Sequence, residues 1–150
     1  MRYFEDFPVG YTETFGSKTV VQDEIIAFAH EFDPQYFHTD PVAAEHSMFR
    51  GLVASGWHTV SMTCRMFTDH GLKDVLNLGG IGADALLWMK AVRPGDTLYV
   101  KMTIVDARRS RSKPDRGAVR IRLDTYNQAD ECVVTATVTT LVGVRPTADS

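Results

Sequence analysis

Around residue 80 the apolar residues of this chain change their spacing, and that change limits the possible folds more than any other feature of the sequence. Beyond it, Leu98, Val100, Met102 and Ile104 alternate with Thr97, Tyr99, Lys101 and Thr103, and Val119, Ile121 and Leu123 alternate with Arg120, Arg122 and Asp124. Val134, Ala136 and Val138 then alternate with threonines. A period of two places one set of side chains on one face of a strand, so each segment predicts a strand with one dry face and one wet face. Residues 86–92 predict a further strand, separated from the next by the turn Arg93-Pro94-Gly95-Asp96, and residues 127–130 predict the last turn. Four strands in succession predict an antiparallel meander. Gly79-Gly80-Ile81-Gly82 reads as a flexible lead-in to the first of them, because it does not follow a strand and open a helix as a dinucleotide-binding fingerprint does.

Before residue 80 the spacing is helical. Ile25, Phe28, Ala29 and Phe32 predict a short amphipathic helix over residues 24–32, capped by Asp23 and stopped by Pro34. Pro41 predicts the first turn of a second short helix in PVAAEHSMF, which leaves residues 33–40 as a loop. Trp57, Val60, Ser61, Cys64 and Phe67 mark one face of a longer helix, with Thr59, Thr63 and Arg65 opposite and Gly71 suited to its left-handed end. The small residues Ala54, Ser55 and Gly56 at its start allow close packing on a sheet. The expectation is an α+β fold in which a sheet covers a central helix, built as one domain over residues 1–150.

A net charge of −3 gives no broad attraction to nucleic acid or to an anionic membrane, so small-molecule chemistry is the better expectation. No stretch approaches the ~18 apolar residues that span a bilayer, and MRYFEDFPVG lacks the apolar core of a secretory leader. Cys64 and Cys132 form no CxxC pair and each sits in an apolar periodic segment, which predicts buried thiols and a reducing, cytoplasmic setting. His30, His46, His58 and His70 show no metal-ligand spacing, so neither a metal nor a cofactor is expected. His58 is expected on the helix surface, Trp88 in the core or an interface, and Arg108, Arg109, Arg111, Lys113 and Arg116 in a solvated hairpin loop.

One loop concentrates the residues that could do chemistry. In Phe32-Asp33-Pro34-Gln35-Tyr36-Phe37-His38-Thr39-Asp40-Pro41 a carboxylate and an imidazole lie five residues apart in a turn fixed by proline at both ends. Such a pair can position one water and move its proton. On spacing alone, however, Asp-Pro is a common turn and a histidine beside aromatics is more often structural.

The segment FAHEFDPQYFHTDPVAA resembles the hydratase signature of MaoC-like dehydratases and (R)-specific enoyl-CoA hydratases, an aromatic or apolar residue followed by D-x-N-P-x-H and a short helix. GLVASGWHT resembles that family's stretch at the start of its central helix, and YFEDFPVG and VRPGDTL resemble its flanking segments. The resemblance implies a hot-dog fold and the reversible hydration of a 2-enoyl-CoA to a (R)-3-hydroxyacyl-CoA. It implies Asp33 as the base, His38 as its partner, Gly56 as the glycine whose amide receives the thioester carbonyl, and Gln35, Ser55 and Trp57 as substrate-binding residues. It also implies an acyl-CoA or acyl carrier protein substrate and a homodimer or higher homo-oligomer, with the basic loop as a weaker candidate for the phosphates of coenzyme A. Gln35 departs from the family's asparagine, Pro34 comes one place early, and Val21 replaces a capping threonine. Two rivals stand beside this reading. A hot-dog thioesterase typically uses an acidic residue within the central helix, where this chain has only Asp69 at the far end; a non-catalytic acyl-thioester-binding module would have no use for both Asp33 and His38.

Overall fold

A computed structural model describes residues 1–148. Its backbone is one antiparallel sheet of five strands, β1 (Thr12–Thr19), β2 (Asn77–Trp88), β3 (Thr97–Arg109), β4 (Arg116–Tyr126) and β5 (Cys132–Gly143). The helices are α1 (Gln22–Phe32), α2 (Tyr36–Thr39), α3 (Pro41–Ala44) and α4 (Gly56–Met66), the last continued by a looser π-helical turn, Phe67–Gly71. The sheet's dry face covers α4, which is the hot-dog arrangement.

The strand order is β1-β3-β4-β5-β2, so only β3, β4 and β5 form the expected meander. β2 pairs with β5 at the far edge, and the turn at residues 93–96 crosses the sheet instead of joining neighbours. β2 also starts at Asn77, well before the expected residue 86, and contains the glycine run that reads as a lead-in. Its register shifts three times against β5, at Asn77/Gly79, Gly80/Gly82 and Asp84/Leu87, and each shift breaks the two-residue period that would have marked it. β1 left no clear alternation because it is an edge strand with Phe15 as its sole large apolar residue.

The three central strands pack as their alternation predicts. Leu98, Val100, Met102, Ile104, Val119, Ile121 and Leu123 are all buried, and each such side chain contributes about 1.5–3 kcal/mol of transfer free energy. On β5 the buried set is Val133, Val134, Thr137, Thr140, Val142 and Gly143, while Ala136 and Val138 are only half-buried. Gly95 sits at φ +89°, where only glycine is unstrained, and the Asp96 amide donates to the Arg93 carbonyl across that turn.

The helices correct the sequence reading in three places. α1 begins at Gln22 with Val21 as a cap that offers no side-chain acceptor, so Asp23 lies inside the first turn, favoured by the helix dipole. Its Ile25 and Ala29 are buried, but Phe32 is 67% exposed. The buried residues of α4 are His58, Thr59, Met62, Thr63 and Met66, whereas Trp57, Ser61 and Cys64 are exposed. Threonine can be buried there because its hydroxyl bonds back to the helix: Thr63 Oγ1 lies 3.0 Å from the Thr59 carbonyl and 2.6 Å from Thr125 Oγ1. Cys132 is half-buried, so neither thiol is the buried hydrophobe expected.

Candidate active site

The carboxylate and imidazole of the 33–40 loop are brought together by the way α1 ends. Pro34 bars a further helical turn, and Asp33 takes an extended φ of −154° as the C-cap, its amide bonded to the Ala29 carbonyl. The chain then turns into α2, one short helix inside the expected loop, with His38 buried in its last turn. Asp40 caps α3 by accepting from the Val42 and Ala43 amides, with Pro41 at the first position as its sequence predicts.

His38 Nδ1 lies 2.7 Å from the Val53 carbonyl oxygen. A carbonyl only accepts, so this nitrogen carries a proton, and in the neutral form of the ring Nε2 presents its lone pair. Nε2 is 3.5 Å from Asp33 Oδ2. The Asp33 carboxylate has two further donors, Gln35 Nε2 at 2.7 Å on Oδ1 and Ser55 Oγ at 2.7 Å on Oδ2. Burial pushes the Asp33 carboxyl up, but the hydrogen bonds from Ser55 and Gln35 and the nearby His38 outweigh it and hold the group below its ordinary value. Asp33 is therefore an anion at neutral pH.

Both groups face a cleft of about 490 Å³ whose other walls include Gln35, Gly56, Trp57 and Trp88. Gly56 opens α4, and Ser55 at the N-cap makes no side-chain bond to the helix amides. The first turn thus points uncapped N–H groups and a positive dipole end at the cleft. A Cβ on Gly56 would lie 2.5 Å from Cε2 and Nε1 of Trp88, so no side chain fits between helix and indole. Trp57 meets Trp88 edge to face, with ring centroids 5.1 Å apart.

Of the residues singled out in the sequence, Asp33, His38, Gln35, Gly56 and Trp57 line one cleft. Ser55 is fully buried behind Asp33 and does not line it. Trp88, Phe37, Phe49 and Lys90 also wall the cleft and were not anticipated there. For Trp88 the sequence offers only its place on an expected strand, which does not tell a cleft wall from a core or interface residue. His58, expected on the surface, is buried and stacked on Phe28 of α1, the rings 4.7 Å apart and 9° from parallel. Burial lowers its pKa, and its Nδ1 has no hydrogen-bond partner.

Two further cavities flank α4. One of about 400 Å³ is apolar, walled by Val60, Cys64 and Phe67 of the helix side and by Leu123, Val134 and Val138 of the sheet. The other, about 490 Å³, is lined by charged pairs, Lys18 with Glu24 and Arg65 with Asp69, and by His58. Of the basic residues expected in a hairpin loop, Arg108 and Arg109 end β3 and Arg116 opens β4, which leaves Arg111 and Lys113 in the loop itself; Arg108 pairs with Asp106 and Arg116 with Asp115. Among the described residues, no three His, Cys, Asp or Glu side chains cluster to hold a metal ion, and no helix is long and apolar enough to cross a membrane.

Comparison with known proteins adds a family relationship. The model of the family described as MaoC like domain matches residues 8–127. The chain is 29% identical over 138 residues to the uncharacterized protein YdeM of Bacillus subtilis (strain 168), spanning 92% of this chain and 96% of that one. Among solved structures it is similar to the MaoC-like dehydratase from Rhodospirillum rubrum, with 41% identity and a TM-score of 0.90 over 98% of this chain and 100% of the other. The R-hydratase PhaJ1 from Pseudomonas aeruginosa shares the fold, with a TM-score of 0.74 at 18% identity over 95% of this chain and 86% of that one.

Proposed function

This chain belongs to the MaoC-like domain family, and on that premise we propose that it is a hydro-lyase that reversibly adds water to a 2-enoyl-CoA, giving the (R)-3-hydroxyacyl-CoA. The observation that carries the reading is the pairing of Asp33 Oδ2 with His38 Nε2, 3.5 Å apart on the wall of a cleft that also reaches the first turn of α4. Two proton acceptors at that spacing hold one water by both its hydrogens and turn its oxygen lone pair outward. As that oxygen bonds to the β-carbon, Asp33 takes the water's proton with His38 as its partner, and the thioester becomes an enolate. The Gly56 amide and the helix dipole stabilise the enolate oxygen. The same proton then passes to the α-carbon, so the elements of water are added and the pair returns to its starting state.

The acyl chain needs an apolar wall next to this site. Gly56, Val60 and Thr63 fall at i, i+4 and i+7 on α4, and Phe67, which opens the π-helical turn, follows at i+11. The apolar cavity lined by the last three lies along the same side of the helix as the end that receives the carbonyl, and on this reading it takes the acyl chain. There Val60, Cys64 and Phe67 of the apolar spacing seen in the sequence form a ligand wall. The reading further takes residues 1–150 as a single cytoplasmic domain, a coenzyme A or acyl carrier protein thioester as substrate, and a homodimer as the working form. Exposed Leu78, Ile81 and Leu87 on the edge strand β2 support the dimer, because an unpaired apolar edge favours a second strand.

The test is a panel of 2-enoyl-CoA substrates followed by loss of the conjugated-thioester absorbance, with the hydroxy product resolved by chirality. Hydration to the (R) product is expected. Release of free thiol without hydration would favour a thioesterase, and binding without either reaction would favour an acyl-thioester-binding module.

A further inference from the structure

We propose that Ser55 is a positioning residue of this site, its hydroxyl tying the Asp33 carboxylate to the first turn of α4 so that the water-activating group and the carbonyl-binding amides are held as one unit. The inference rests on the hydratase reading. A serine at a helix N-cap ordinarily accepts from the second or third amide of its own helix. Ser55 occupies the N-cap of α4 and makes no such bond. It is fully buried, and its Oγ donates instead to Asp33 Oδ2 at 2.7 Å, across 22 residues of sequence.

Gln35, the other donor to Asp33, belongs to the same loop and can fix the carboxylate only relative to that loop. Ser55 fixes it relative to a different element. His38 is anchored in the same place, through the Val53 carbonyl two residues before Ser55. Residues 53–55 are in turn fixed from both sides, the Val53 amide bonding to the Phe37 carbonyl at 3.1 Å and the Ala54 amide to the Val92 carbonyl at 2.9 Å. Both members of the pair thus take their position from one short stretch that runs directly into Gly56. The redirected hydroxyl has a second effect: it leaves the Trp57 and His58 amides, which a capping serine would occupy, without a side-chain acceptor.

The experiment compares wild type, Ser55→Ala and Ser55→Thr by steady-state hydration kinetics across pH and by carbon-13 NMR titration of the Asp33 carboxyl. Ser55→Ala is expected to lower kcat on the order of 10- to 100-fold, as misplaced catalytic groups do, with KM nearly unchanged. Loss of one donor should move both the Asp33 titration and the acid limb of the pH profile to higher pH. Ser55→Thr, which keeps the hydroxyl, should restore much of both. A folded Ser55→Ala protein with an unmoved Asp33 titration, or with wild-type kcat and acid limb, overturns the proposal. A wild type that hydrates no enoyl thioester overturns the hydratase reading instead, and the carboxyl titration of the variant still decides whether Ser55 holds Asp33.

Discussion

Asp33 separates chemistry from binding. Asn keeps the shape and the hydrogen-bonding capacity of Asp but cannot take a proton from water, so Asp33→Asn should reduce hydration by about a hundredfold or more while thioester affinity is largely kept. Combining it with His38→Ala should be scarcely worse than either change alone, because groups that serve one water act as a unit. Turnover and ligand affinity on the same preparations check both points, and wild-type turnover in folded Asp33→Asn would remove the proposed base. Gly56→Val forces a side chain into the Trp88 indole and displaces the helix end, so turnover should fall on the order of a hundredfold, with circular dichroism reporting whether the fold survives. His58 gives a pH dependence of stability. Burial depresses its pKa below 6.5, so it is neutral in the fold; its contribution is intact above that pH and is lost as pH falls through the lowered folded value. Glu24 on α1 and Lys18 on β1 face it with opposing effects, and Arg65, Asp69 and His70 share its cavity. Asp33, also depressed, acts in a separate window below 3.8. The melting temperature should therefore drop as pH is lowered from 6.5 toward 5, and His58→Gln should flatten that part of the curve.

Among the elements, α4 shows where sequence reading succeeded and where physics hid the answer. Its start, its small residues and its place against a sheet were legible, but its apolar spacing does not mark its buried face: of those residues Phe67 is buried, while the other core contacts fall at Thr59, Met62, Thr63 and Met66. Hydrophobic spacing reports where apolar residues lie, and cannot tell a core face from the wall of an empty cavity. Threonine conceals the true core face because its hydroxyl is satisfied by the helix itself. The wall interpretation has its own test: Val60→Phe should cut kcat/KM for long enoyl chains by about tenfold relative to crotonyl-CoA, since pocket volume discriminates chain length on that scale. Equal loss for all chain lengths would place the acyl chain elsewhere. Strands β3 and β4 were legible because each has one dry and one wet face. β2 was not, because glycines carry no side chain to alternate and its bulges shift the register. The Asp33–His38 loop was found through its resemblance to a family motif, since spacing alone favoured a structural turn; Trp88 was missed because its partnership with Gly56 is made only by tertiary packing.

For the molecule as a whole, the open edge of β2 sets the expected assembly. If two copies pair there, Ile81→Glu should convert a dimer to a monomer at micromolar concentration by light scattering, since a charge on an apolar edge opposes strand pairing. A wild-type monomer would place the exposed residues of β2 in some other role. The stretch at residues 53–55 is fixed by bonds from the Val53 and Ala54 amides, and His38 rests on the Val53 carbonyl. These are main-chain atoms, present whatever side chains the neighbouring positions carry. Substitutions around the cleft that spare Gln35 and Ser55 can therefore alter which molecules fit while the His38 imidazole keeps its place. A scaffold of this kind separates inheritance of the reaction from drift in specificity, and lets a lineage explore new substrates while its chemistry stays in place.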